Sequence, residues 1–325
     1  MIAFHTVFGM IAALIVLVPA GIQKGGTVET RRKPVPDIDS QWDFNKPGET
    51  EAKLRSLLPD AESSGNQAYR LELLTQIARA QGLQGKFAEA HQTLDEVEKA
   101  LAPHMDRVRV RYLLERGRAF NSSDHPKEAK PLFLAAWDLA RKAREENLAV
   151  DAAHMVAIVE PPKEAEKWNL KALAYAEKCK DPKARRWRAS LYNNLGWTYH
   201  DAGRYPEALT VFEKAVKARE ENGDPEPLRI ARWAVGRCLR SLGRIDEALT
   251  IQHAQVKELD RSGRTGPYVY EEMGECLYAL ARKPESRPWF AKAYAELSKD
   301  DWLVKHEPAR IDRLKRLAET AGQPD

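Results

Sequence analysis

Asp151 and His154 stand three residues apart, one helical turn. With Asn194 and His200 they make the constellation in this chain whose residue types suit proton transfer. No nucleophile accompanies them. A metal site needs more convergent His or carboxylate ligands, and neither HExxH nor a similar spacing occurs. His154 is therefore read as a hydrogen-bonded packing residue. Cys179, Cys238 and Cys276 are far apart, odd in number and without CxxC spacing, which suits reduced structural thiols and argues against zinc. Lys183, Arg185, Arg186 and Arg188, with Trp187 among them, could meet phosphates but read as a solvated helix start. Neither GxxxxGK nor GxGxxG is present, so no phosphate cradle is expected. No catalytic residue, no metal and no cofactor is assigned.

The 325 residues carry 52 Lys and Arg against 48 Asp and Glu, a formal charge of +4. That balance gives no strong steering field, and nucleic acid is not expected as a partner.

The elements that must position these residues are clearest from Ala189 to Arg219. Tyr192, Leu195, Gly196 and Tyr199 share one helical face; Ala208, Phe212 and Ala215 share another, and Asp201, Ala202 and Gly203 form a turn between them. Small residues at Gly196 and Ala208 would let two helices approach, with the aromatic rings filling the space around them. The same pairing of small residues twelve apart recurs: Ala78 with Ala90, Gly117 with Ala129, Ala153 with Ala165, Gly236 with Ala248, and Gly274 with Ser286. Leu94, Phe133, Phe212 and Phe290 fill the bulky position of the second helix. Asn169 and Gln252 stand there in the third and fifth pairs, where the neighbouring Leu170 and Ile251 are expected to pack instead. Gly85, Gly203 and Gly243 mark turns in three of the pairs.

This order of aromatic, Leu-Gly, Tyr, Ala, Phe and Ala resembles the tetratricopeptide repeat. The resemblance implies an all-α, right-handed α-solenoid of about six helix pairs with capping helices at both ends, working as a non-catalytic protein-interaction scaffold or adaptor. Successive units are 39, 36, 43, 40 and 38 residues apart, a length that looks like kinesin light chains and bacterial regulators of the family. In such stacks the second, fifth, sixth, ninth and twelfth positions of the first helices point into the concave groove. Numbered from Ala189, those positions include Arg118, His154, Asn193, Asn194, Trp197 and Trp233, with Arg237 and Arg240 on the helix of Trp233. They form the candidate partner-binding groove, which looks basic and aromatic and then acidic at Glu271, Glu272 and Glu275. Trp197 and Trp233 are expected to face one channel, burying an apolar anchor of a peptide or protein segment whose carboxylate meets Arg237 and Arg240. The clamp by which chaperone-binding members hold a C-terminus is not matched, because Val150, Ile230 and Ala234 stand where cations are needed. The alternative function is a small-ligand sensor or enzyme using the groove around His154, Asn194 and Trp197.

Residues 1–22 hold an apolar run, Thr6 to Ile22, that reads equally as a membrane anchor, a signal peptide, or a segment upstream of a later start near Trp42 to Phe44. Lys24, Arg31, Arg32 and Lys33 follow it, so the repeats are expected to be cytoplasmic, attached to a membrane if the run is retained; secretion is disfavoured. Residues 23–48 read as a linker or loosely attached arm with no visible site, and 49–322 as the repeat domain. Within it, Glu49 to Leu58 is expected to cap the first repeat and Pro308 to Ala318 the last.

Overall fold

A computed structural model describes residues 35–223 and 225–319. The apolar run at 6–22, with its anchor, signal and later-start readings, lies outside them. Among the described residues there is no strand, and no helix is long and apolar enough to cross a membrane. The chain divides into two compact units, Met1–Trp187 and Arg188–Asp325.

In the first unit a 3₁₀ turn, Asp39–Gln41, precedes α1 (Pro47–Ser56) and α2 (Leu58–Ser63). Three antiparallel pairs follow: α3 (Gln67–Leu83) with α4 (Phe87–Ala100), α5 (Asp106–Ser122) with α6 (Pro126–Lys142), and α7 (Glu146–Val159) with α8 (Pro162–Lys178). A short α9 (Pro182–Arg186) closes it. Each first helix packs beside the next, α3 against α5 and α5 against α7. The second unit has the same plan: α10 (Arg188–Asp201) with α11 (Tyr205–Asn222), α12 (Pro225–Ser241) with α13 (Ile245–Ser262), and α14 (Pro267–Ala279) with α15 (Lys283–Leu297). Then come α16 (Asp301–His306) and α17 (Pro308–Glu319), which lays Ile311 and Leu314 on α15. All six expected pairs are present, each in the expected register.

Small-against-large packing sets that register. Leu94, Phe133, Phe212 and Phe290 are fully buried. A Cβ on Gly196 would fall against the ring of Phe212, only 2.8 Å from its Cζ, and one on Gly274 would be 2.8 Å from Phe290 Cδ1. Side chains there would overpack the pair.

The third and fifth pairs depart from expectation. Asn169 and Gln252 occupy the buried positions themselves, while Leu170 is exposed and Ile251 only half-buried. Successive residues on a helix are rotated by about 100°, so a neighbour cannot take a buried site unless the whole helix turns. Gly236 makes the room: a Cβ there would lie 3.3 Å from Gln252 Cδ.

The left-handed turn marked by Gly85, Gly203 and Gly243 also closes two pairs without glycine, at Asp124 (φ 64) and Ala281 (φ 57). In the third pair Glu160 is extended instead, as the residue before Pro161 prefers. Pro59, the residue after the expected capping helix Glu49 to Leu58, sits in the first turn of α2, where a missing N–H costs nothing.

Candidate functional site

The candidate residues fall into two clusters, one in each unit. In the first, α5 and α7 bring Arg118 and Asp151 together. Arg118 donates to Glu115 Oε1 at 2.8 Å and to Asp151 Oδ1, while Arg79 of α3 lies 3.6 Å from the same Glu115 oxygen. Burial raises a carboxyl pKa, yet Arg118 outweighs it and holds Asp151 below the usual range. His154, one turn along α7, faces Trp187 with ring centroids 5.3 Å apart. Trp187 in turn donates its indole N–H to Asn147 Oδ1 at 2.9 Å, so this aromatic of the basic run is a packing residue rather than a phosphate contact.

Burial, with Arg118 adding to it and Asp151 opposing, pushes the His154 pKa down to about 4. A base that weak gains little from a neighbouring carboxylate at neutral pH, which favours the packing role over proton transfer. The linkage has a definite sign. Between pH 6.5 and 4 the unfolded chain binds a proton at His154 that the folded chain does not, so stability falls as pH falls through that window. From pH 7 to 5 this group removes about 2 kcal/mol of stability. Denaturant titrations at the two pH values should show that loss in the wild type and a smaller one in His154→Gln; equal losses would sink the assignment.

In the second unit α10 and α12 bring Trp197 and Trp233 side by side, with ring centroids 5.8 Å apart. The two indoles adjoin, but they are buried rather than open to a channel. Trp197 is 6% exposed and Trp233 7%. Trp197 meets Phe212 edge-on at 5.0 Å, while Trp233 packs on Tyr268 and donates its N–H to the Tyr268 carbonyl at 3.0 Å. Asn193 and Asn194 are also buried on α10.

The guanidinium groups meant for a ligand carboxylate already have one. Arg240 binds both oxygens of Glu272 on α14, and Arg237 lies 3.7 Å from the same group. Burial alone would lower the Arg240 pKa, but Glu272 holds it above its ordinary value. The acidic end is paired as well, Glu271 with Arg310 at 2.5 Å and Glu275 with Arg313. Both arginines come from the capping helix α17.

Burial pushes the three thiols up, Cys179 and Cys238 to about 11 and Cys276 to about 12. All are free and buried, hence poor nucleophiles. Among the described residues no group of His, Cys, Asp and Glu could hold a metal ion.

Sequence reasoning missed one further cluster, around Asp39, Trp42 and Phe44, where the chain was read as a linker. The signal was there, an acid and two aromatics in a polar stretch. Its partners, however, lie far along the chain.

Residues 144–221 match one family model of the tetratricopeptide repeat and residues 193–255 match another. Residues 144–255 thus carry tetratricopeptide repeats. No curated protein sequence matches it. Among solved structures it is similar to the apo form of RapI, with 13% identity and a TM-score of 0.64 over 88% of this chain and 81% of that one. It is also similar to BtubC from P. vanneervenii, with 15% identity and a TM-score of 0.54 over 71% of this chain and 94% of that one. A third is NprR in complex with its cognate peptide NprX, with 14% identity and a TM-score of 0.51 over 85% and 86%. At these identities the likeness is one of fold. The repeat family is in general a non-catalytic protein-interaction fold.

Proposed function

We propose that this protein is a non-catalytic scaffold that holds a peptide or protein segment on the inner faces of its first helices. One observation carries the reading. The faces within the pairs are apolar apart from Asn169 and Gln252 with its neighbour Gln255, whereas the inner positions of the first helices concentrate polar, charged and aromatic groups held in place by ion pairs, as in Arg118 with Asp151 and Arg240 with Glu272. Such pre-organised groups lose little further freedom on binding, and Arg and Trp are the residues that most often anchor interfaces. NprR, of similar fold, is solved with a peptide, which supports this class of partner.

The candidate contacts are Arg118 and His154 in the first unit and, as a separate cluster, Asn193, Asn194, Trp197, Trp233, Arg237 and Arg240 in the second. The two indoles form its packed floor and the arginine heads its contacts. Panning the full chain against a displayed library of twelve-residue peptides should enrich binders. Their affinity should fall at least tenfold on Arg237→Glu, a residue whose side chain keeps 25% of its surface in water. Enrichment of none, or binders indifferent to that change, would refute the reading.

A further inference from the structure

In the first unit the inner positions are already occupied, by the chain itself. Residues 36–44 lie across α3, α5 and α9 and use side-chain heads to hold on. Asp39 accepts from Arg111 at 2.7 Å with one oxygen and from Lys183 at 2.8 Å with the other. Trp42 donates its indole N–H to Gln76 Oε1 at 3.1 Å. The rings of Trp42 and Phe44 stack at 4.6 Å, and the Arg79 guanidinium covers them, 5.5 and 5.2 Å from their centroids. Ile38 is buried among Leu71, Leu74 and their neighbours, and Tyr69 donates its hydroxyl to the Pro36 carbonyl at 2.9 Å.

Among the partners are the sixth and ninth residues of the first repeat (Gln76 and Arg79) and the second of the next (Arg111), which Glu72, the second of the first, holds at 2.6 Å. These are ligand positions in the repeat register. The backbone hydrogen bonds within 37–46 close its own turns, Ser40 N to Asp37 O at 3.2 Å and Lys46 N to Asp43 O at 3.1 Å among them. The segment is thus seated as a ligand is, by heads and rings.

We propose that the face formed by α3, α5 and α9 is a recognition site for a short acidic-aromatic peptide segment, an Asp with aromatic rings three and five residues after it. Residues 37–44 are its resident occupant, which a partner's segment of that chemistry displaces. This rests on the scaffold reading and names the ligand class for one of its faces.

Charge dictates the acid. Arg111 is 5% exposed and pairs with Glu72 at 2.6 Å, a carboxylate that also meets Arg107 at 3.1 Å, so a departing Asp39 leaves a buried guanidinium sharing Glu72 with a second one and takes from Lys183 the carboxylate it holds at 2.8 Å. Such an arrangement demands a replacement anion. Burial opposes ionisation of Asp39, but Arg111 and Lys183 outweigh it and hold its carboxyl far below the usual range, so an occupant is bound as the carboxylate. Arg79 supplies the second requirement, since its guanidinium, which lies 3.6 Å from Glu115 on one side, presents to the occupant a cation that an aromatic face stabilises. Tethering gives the resident segment an effective concentration on the order of millimolar, so it withstands weak competitors and yields to tight ones.

The probe is a fluorescein-labelled peptide with the sequence of residues 35–45, titrated by anisotropy into the full chain and into the full-length Asp39→Asn, Trp42→Ala double variant. A scrambled peptide serves as control. Binding to the double variant should be at least tenfold tighter than to wild type, and adding Lys183→Ala should return it to the wild-type level. Equal binding to both chains, binding that ignores Lys183→Ala, or equal binding of the scrambled peptide would overturn the proposal. Should the double variant lose its helical circular dichroism, Asp39→Asn alone is titrated, with the same tightening expected and no tightening overturning it. Failure here with library binders still sensitive to Arg237→Glu would remove this site and leave the scaffold reading standing.

Discussion

Trp197→Ala is expected to cost the second unit about 3–5 kcal/mol of stability, and Trp233→Ala a similar amount, the range for truncating a buried Trp in a core that cannot collapse around the gap. Both indoles are over nine-tenths buried, and Trp197 touches Phe212, the ring that sets the register of α10 against α11. Trp233 adds a hydrogen bond to the Tyr268 carbonyl, so its loss also strips a partner from the turn entering α14. Because the rings touch, the double variant should cost less than the sum of the singles. Chemical denaturation followed by circular dichroism reads this directly. A loss below about 1 kcal/mol for either single variant, the size ordinary surface changes have, would show that the ring belongs to an open binding channel after all.

Asp151→Ala is expected to destabilise the first unit by about 3–5 kcal/mol, the usual cost of leaving one charge of a buried pair without its partner. Arg118 would keep Glu115 but share it with Arg79, two guanidinium groups around one carboxylate. The drop in melting temperature should be on the order of 10 °C for a unit of this size. The pH dependence gives a second readout. Asp151 has a folded pKa below its unfolded one, so its contribution is present above about pH 4 and lost as pH falls through the folded value. The variant should lack that part of the acid transition. Unchanged melting would mean that water enters the cluster and screens the pair.

These two expectations mark how far the sequence reaches. The six pairs, their small-against-large register and the turns at Gly85, Gly203 and Gly243 were legible in it, because each rests on residues at most about one repeat apart, and a repeat packs only on its neighbours. The polar Asn169 and Gln252 were legible as departures. That they stay buried followed only once the helices were placed, since helical rotation offers Leu170 no way in. For the candidate site, the sequence by itself determined which residues stand at the second, fifth, sixth, ninth and twelfth positions of each repeat, and tertiary structure alone decided what meets them there. Trp197 and Trp233 adjoin as the spacing implies, yet their burial depends on how closely Phe212 and Tyr268 approach from other helices. Arg240 finds Glu272 on the next first helix. Asp39 finds Lys183 across 144 residues, a pairing no local pattern records. Periodicity places a side chain on a face, whereas the long-range charge and ring contacts that fill that face depend on a chain path that only the folded packing sets.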